Sequence, residues 1–219
     1  MSFSKLSQRP FSILFLAFFL AIAPSVLLPF SFLYRHFALF PQSAIVLIKS
    51  IFFLLLVPAA IIKYVWGRSV SDFGWTLPSN NKAAMKLAII ALLLFIPVAI
   101  ALSTLEGFQL RYSSYGAPLS YFLLDAGLFA FLYYIAEGFL FFGFLFFGLW
   151  PRLRYHSFWI VSIVFAFLHI TKPPLEILFS LFGGLIFCYL SVKTRSIFPA
   201  AIVHFIAAFI LNVLVTFAF

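Results

Sequence analysis

Charge is what this chain has least of. Lys, Arg, Asp and Glu make up 9% of its 219 residues against 65% hydrophobic, and mean hydropathy is +1.19. That balance excludes a soluble globular domain and points to an all-α, polytopic membrane helix bundle. Cysteine is almost missing as well. The single Cys188 lies in an apolar run, which excludes a disulfide framework and a cysteine metal cluster. Strict alternation of apolar and polar residues is lacking too. The apolar runs continue unbroken for about 16 to 30 residues, which excludes a transmembrane barrel. No internal repeat or low-complexity tail is present, and the longest polar stretch, 67–82, is too short for a further domain. Residues 1–219 therefore read as a single integral-membrane domain.

What charge there is carries information. The formal net charge is +9, a sign that suits nucleic acid, but the cations sit singly in short loops. That is membrane topology, and no nucleic-acid partner is expected; the partners expected are lipid and a peptide or membrane-protein substrate. Seven apolar segments can be marked, at about 11–34, 43–65, 84–104, 119–150, 156–171, 175–192 and 197–218. The fourth would extend about 45 Å as one helix, so it must tilt, project or break. The N-terminus resembles a signal peptide, with Lys5 and Arg9 before an apolar core and Ala21-Ile22-Ala23 after it. Pro24 obstructs cleavage there, so the expectation is an uncleaved first helix.

Alternate sides of the membrane differ in their cations. One side receives Lys5, Arg9, Lys63, Arg68, Lys82, Lys86, Arg152, Arg154, Lys193 and Arg195; the other receives Arg35, Arg111 and Lys172. This bias predicts a cell-membrane protein with a cytosolic N-terminus and an outside C-terminus. Trp66, Trp75, Trp150 and Trp159 all fall near the cytosolic ends, where indole rings favour the interface. Val70, Phe73 and Trp75 would lie on the membrane surface, and most of the 34 phenylalanines would face lipid or pack.

Three polar residues stand out against this background. Glu137 lies within the apolar run Tyr133–Trp150, where a carboxylate costs roughly 2.5–3.5 kcal/mol on the most lenient scale, so a function is the default expectation. His169 and His204 each lie in a later apolar segment. Counting from the cytosolic ends, Glu137 and His169 are both about 20 Å deep and His204 nearer 10 Å. A shared site thus needs the last helix to start deeper or to tilt. Singly, each has a plainer reading: a bonded carboxylate in a packed bundle, a loop-facing imidazole before Lys172-Pro173-Pro174, a helix-contact histidine among Ala and Val. Lys49 and Asp125, at matching depth, would form a structural charge pair. Glu176 would cap a helix or border the mouth of the site, and Gly183-Gly184 would let helices approach closely.

The order and spacing of these residues resemble the CPBP intramembrane proteases, the CAAX proteases and bacteriocin-processing enzymes also called the Abi family. The first motif of that family, Glu-Glu-x-x-x-Arg followed by Gly, appears as Glu137-Gly138-Phe139-Leu140-Phe141-Phe142-Gly143. The second, Phe-x-x-x-His, is Phe165 to His169. The third, His-x-x-x-Asn or Asp, is His204 to Ala208. Asp72-Phe73-Gly74-Trp75 and the run from Gly183-Gly184 to Thr194-Arg195-Ser196 and Pro199 look like the family as well, so the likeness spans roughly 70–212. Gly138, Phe142 and Ala208 depart from its motifs, and Asn212 lies about 12 Å from His204 along a helix.

The resemblance implies an intramembrane endopeptidase with Glu137, His169 and His204 as catalytic residues. Glu137 would be the base that activates water, His169 would help hold that water, and His204 would stabilise the oxyanion. No cofactor is expected; were Zn²⁺ bound, the same three residues would be its ligands. The substrate would be membrane-associated or lipidated. Two alternatives stay open: an inactive relative serving as a binding or bacteriocin-immunity protein, and a small proton-coupled carrier.

Overall fold

The computed structural model describes residues 10–26, 42–114 and 116–218. Among these, the apolar segments form helices and no strand occurs. In chain order the helices are α1 (Pro10–Val26), α2 (Gln42–Val65), α3 (Asn81–Ser103), α4 (Glu106–Tyr112), α5 (Leu119–Leu153), α6 (His156–Phe167), α7 (Pro174–Thr194) and α8 (Phe198–Phe217). Five of them, α2, α3, α5, α7 and α8, are long and apolar enough to cross a membrane, and α1 and α6 are shorter apolar helices. The seven expected segments are therefore present as an all-α polytopic bundle. The stretch of the first segment beyond Val26 lies outside the described residues, as do Lys5, Arg9 and Arg35.

The longest segment neither breaks nor ends early. α5 runs for 35 residues but includes two wide π-type stretches, Leu123–Phe129 and Phe139–Leu145. Such turns rise less per residue and often mark functional positions in a helix. α5 is the most buried of the five spanning helices, touching α1, α2, α6, α7 and α8. Every residue from Phe139 to Leu145 is buried.

Phenylalanine builds much of this core, packing being one of the two roles expected of the rings. The largest fully buried side chains include Phe73, Phe139, Phe142, Phe144, Phe146 and Phe165. Packing rings against one another in the bundle gains dispersion contacts that lipid chains supply less well. The same gain overturns two interface assignments. Trp66 is buried and stacks on Phe144 at 4.9 Å between ring centres. Phe73 is 1% exposed, and Trp75 packs edge-on against Phe139 at 5.4 Å. The Val70–Phe73 turn thus inserts its aromatic residues into the bundle and does not lie flat on a membrane surface. Gly74 makes the insertion possible: its φ of +81° needs glycine, and a Cβ there would meet Phe147 at 2.7 Å.

That inserted turn seats the last helix. Ile197 N–H donates to the Gly74 carbonyl at 3.0 Å, and the connection from α7 reverses sharply through Arg195, at φ +54°. The Thr194 hydroxyl closes the reversal by donating to Leu190 O at 2.7 Å and Ser196 O at 3.1 Å. α8 then descends antiparallel to α5, in a register set by small residues. A Cβ on Gly143 would lie 3.3 Å from Ile197, and one on Gly138 would lie 3.1 Å from the Ala201 methyl. Continuing that register brings His204 opposite Glu137.

The two adjacent glycines of α7 behave differently. At Gly184 an added Cβ would meet the Ser162 Cα at 2.9 Å, so this glycine sets the close approach of α6 and α7. At Gly183 the nearest atoms are ordinary contacts at 3.5 Å or more. Only Gly184 has the role expected of the pair. α2 packs beside the 123–129 stretch of α5, which puts Lys49 and Asp125 on neighbouring elements.

Candidate functional site

A cavity of about 530 Å³ enters the bundle between α3, α5, α7 and α8, and Glu137, His169 and His204 all line it. The depth mismatch expected for His204 disappears because α8 starts deep. Its first residues lie level with Gly143, seven residues from Trp150 along α5, or roughly 10 Å. Starting deeper, one of the two ways left open by the sequence, is what the chain does.

Glu137 is 6% exposed. Its Oε1 accepts a hydrogen bond from the Tyr133 hydroxyl at 2.9 Å, one helical turn back. Its Oε2 lies 3.4 Å from His204 Nδ1, off the hydrogen-bonding direction, and accepts no hydrogen bond from any described residue. A buried carboxylate oxygen without a donor is costly, about 1–3 kcal/mol or more for a charged group. Such an atom in a cavity wall is suited to a polar ligand or a water.

His169 ends the α6 segment in a turn. Its Nδ1 is 2.7 Å from the Phe165 carbonyl oxygen. A carbonyl can only accept, so Nδ1 carries the proton and Nε2 of the neutral ring is left with its lone pair. The Phe165 ring touches both imidazoles, at 4.7 Å from His169 and 5.6 Å from His204 between centres. His204 is stacked further on Phe187 at 5.0 Å and flanked by Tyr134 at 4.2 Å. Glu137 and His204 are thus in direct contact, and His169 joins them through a shared phenylalanine and a shared cavity. Among the described residues, no set of three or more His, Cys, Asp or Glu side chains is disposed to hold a metal ion, Glu137, His169 and His204 included.

The three departures from the family motifs have different structural fates. Gly138, in place of the second glutamate, is closed off by Ala201. Phe142, in place of the arginine, packs its ring against Phe165 at 5.4 Å and Phe187 at 5.3 Å. Ala208 lines the cavity and offers no side-chain donor. Asn212 lines it as well, but its Nδ2 donates to the Ala208 carbonyl at 2.8 Å.

A second polar group borders the cavity beyond the spanning segments. The Tyr112 hydroxyl donates to Glu176 at 2.7 Å and accepts from Lys172 Nζ at 2.7 Å. Lys172 is also 3.8 Å from Glu176. Burial, reinforced by the facing Glu176 carboxylate, raises the Tyr112 hydroxyl above the usual phenol range. Burial lowers the Lys172 ammonium, while Glu176 opposes the shift. Glu176 thus borders the site, the second of its two expected roles. Sequence reasoning missed Tyr112, Tyr133 and Tyr134. The four-residue spacing of Tyr133 and Glu137 was a usable signal. Tyr112, 64 residues from Glu176, gave none.

Residues 118–210 match the family model described as Rce1-like, type II CAAX prenyl endopeptidase. The match begins just before α5 and ends within α8, so it contains Glu137, His169 and His204 and stops short of Asn212. No curated protein and no solved structure matches the chain.

Proposed function

We propose that the protein, whose residues 118–210 match the Rce1-like, type II CAAX prenyl endopeptidase family model, is an intramembrane endopeptidase with Glu137 as its base. The observation that carries this reading is the division of labour on one carboxylate. Oε1 is held by Tyr133, while Oε2 is buried, unclaimed and beside His204 in a cavity wall. Oε2 takes a proton from a water that the free Nε2 of His169 helps to hold, and the water oxygen bonds to the peptide carbonyl carbon. A His204 N–H stabilises the oxyanion. As the C–N bond breaks, Glu137 returns the proton to the departing amine.

This reading is metal-independent, since the residues already present supply a base, an acceptor and a donor. The substrate is a peptide carried at the membrane, lipidated or part of a membrane protein, and lipid is the surrounding partner. The apolar cavity walls, among them Ala21, Phe95 and Phe187, suit such a chain. The cation bias supports a multi-pass protein of the cell membrane with the N-terminus in the cytosol.

The test is cleavage of a fluorogenic farnesylated peptide ending in a CAAX sequence, by purified protein in lipid nanodiscs. Wild type is expected to cleave and Glu137→Gln to lose cleavage completely. Equal cleavage by both proteins would overturn the assignment of the base.

A further inference from the structure

The cavity wall lacks one donor where the reaction needs two. One oxyanion-hole donor is worth roughly 100–1000-fold in rate. On α8, His204 is followed one turn later by Ala208, and the Asn212 amide is committed to the Ala208 carbonyl. One amide N–H of Asn212 stays unused, but it lies two turns, about 12 Å, beyond His204 along α8, so nothing within reach on that helix supplements His204.

The opposite wall offers a candidate. Three tyrosines line the cavity: Tyr112, Tyr133 and Tyr134. The Tyr112 hydroxyl is spent on Glu176, and the Tyr133 hydroxyl on Glu137. Tyr134 differs. Its hydroxyl makes no hydrogen bond with any described residue. Its ring lies 4.2 Å from the His204 ring between centres, tilted by 53°. It precedes Glu137 by three residues on α5, so the phenol and the base project from adjoining positions of one helix face. A phenol at this position reaches the space that His204 faces.

We propose that the Tyr134 hydroxyl is the second donor to the oxyanion, making Tyr134 a catalytic residue beside Glu137 and His204. This rests on the peptidase reading above. As the water oxygen bonds to the carbonyl carbon and its proton passes to Glu137, the carbonyl π pair moves to oxygen. The Tyr134 O–H and a His204 N–H both point at that oxygen, and the phenol keeps its proton throughout. When the pair returns to re-form C=O, the C–N bond breaks and the amine takes its proton from Glu137. The phenol thereby fulfils a role for which Ala208 has no side chain.

The experiment compares wild type, Y134F, E137Q and the double variant Y134F/A208N on the farnesylated CAAX peptide in nanodiscs. Y134F keeps the ring against His204 and removes only the donor. The expected result is a fall in kcat of about 100-fold or more with KM unchanged. The double variant should recover a large part of that loss, because an amide replaces the lost donor from α8. A purely structural tyrosine would not be rescued in this way. If Y134F is as active as wild type while E137Q is dead, this proposal falls and the peptidase reading stands. Failure of A208N to rescue Y134F overturns it as well. If wild type cleaves nothing, both fall.

Discussion

Replacing Gly143 with alanine tests how the last helix is positioned. The new methyl would sit 2.9 Å from the Phe73 carbonyl oxygen, 3.0 Å from Phe139 Cδ2 and 3.3 Å from Ile197 Cγ2. The first neighbour is backbone and cannot rotate aside, so the 73–74 turn or the start of α8 must move. Overpacking of this kind costs about 1–3 kcal/mol. Alanine in a helix returns about 0.5–1 kcal/mol relative to glycine, leaving a net loss of about 0–2.5 kcal/mol, a little over 1 kcal/mol at the centre of both ranges. The displacement propagates, because Ile197 N–H is bonded to Gly74 O and starts the helix that carries His204. A 1 Å misplacement at a reacting centre costs about 100-fold, so cleavage should fall more steeply than stability. Gly127 is the control. It lies on the same helix, and a Cβ there meets nothing within 4 Å. Thermal unfolding in detergent, followed by tryptophan fluorescence, reads the seat directly through Trp75, which packs on Phe139 and Phe198. G143A should unfold at a lower temperature than wild type and G127A should not. Coincident unfolding of all three proteins would refute the register argument.

Two further substitutions separate packing from chemistry. Gly184→Ala should destabilise the α6–α7 pair by about 1–3 kcal/mol through the Ser162 backbone contact, whereas Gly183→Ala should be near neutral; unfolding temperatures decide. Phe142→Arg restores the arginine of the family motif yet should abolish folded expression. It would bury a cation among Phe141, Phe165 and Phe187, at a cost of several kcal/mol; a well-expressed, more active variant would contradict the aromatic packing described for this position.

Much of this architecture is written in local sequence. Apolar runs of spanning length, broken by Pro173-Pro174 and by single cations, mark the helices to within a few residues. Glu137 declares itself because a carboxylate in such a run is expensive. What could not be read is whatever depends on how deep each element sits. Linear counting separated Glu137 from His204 by about 10 Å; the insertion of Phe73 and Gly74 beneath α8, which removes that separation, depends on a contact between distant parts of the chain. Trp66 and Trp75 were misplaced for the same reason, since an aromatic residue near a helix end is equally at home in an interface or under a neighbouring loop. The π-type stretches of α5 leave no mark in an apolar sequence, because they alter hydrogen-bond pairing and not side-chain polarity. Tyr112 meets Lys172 and Glu176 only after the chain has folded.

Tyr133 and Glu137 ride on one helix, and His204 rides on another. The hydroxyl that orients the carboxylate therefore travels with it, so the aim of the acid is fixed within a single element. The imidazole's place is fixed only by how the final helix docks, which makes the spacing between acid and imidazole a property of tertiary packing and the first thing a loosened bundle would lose.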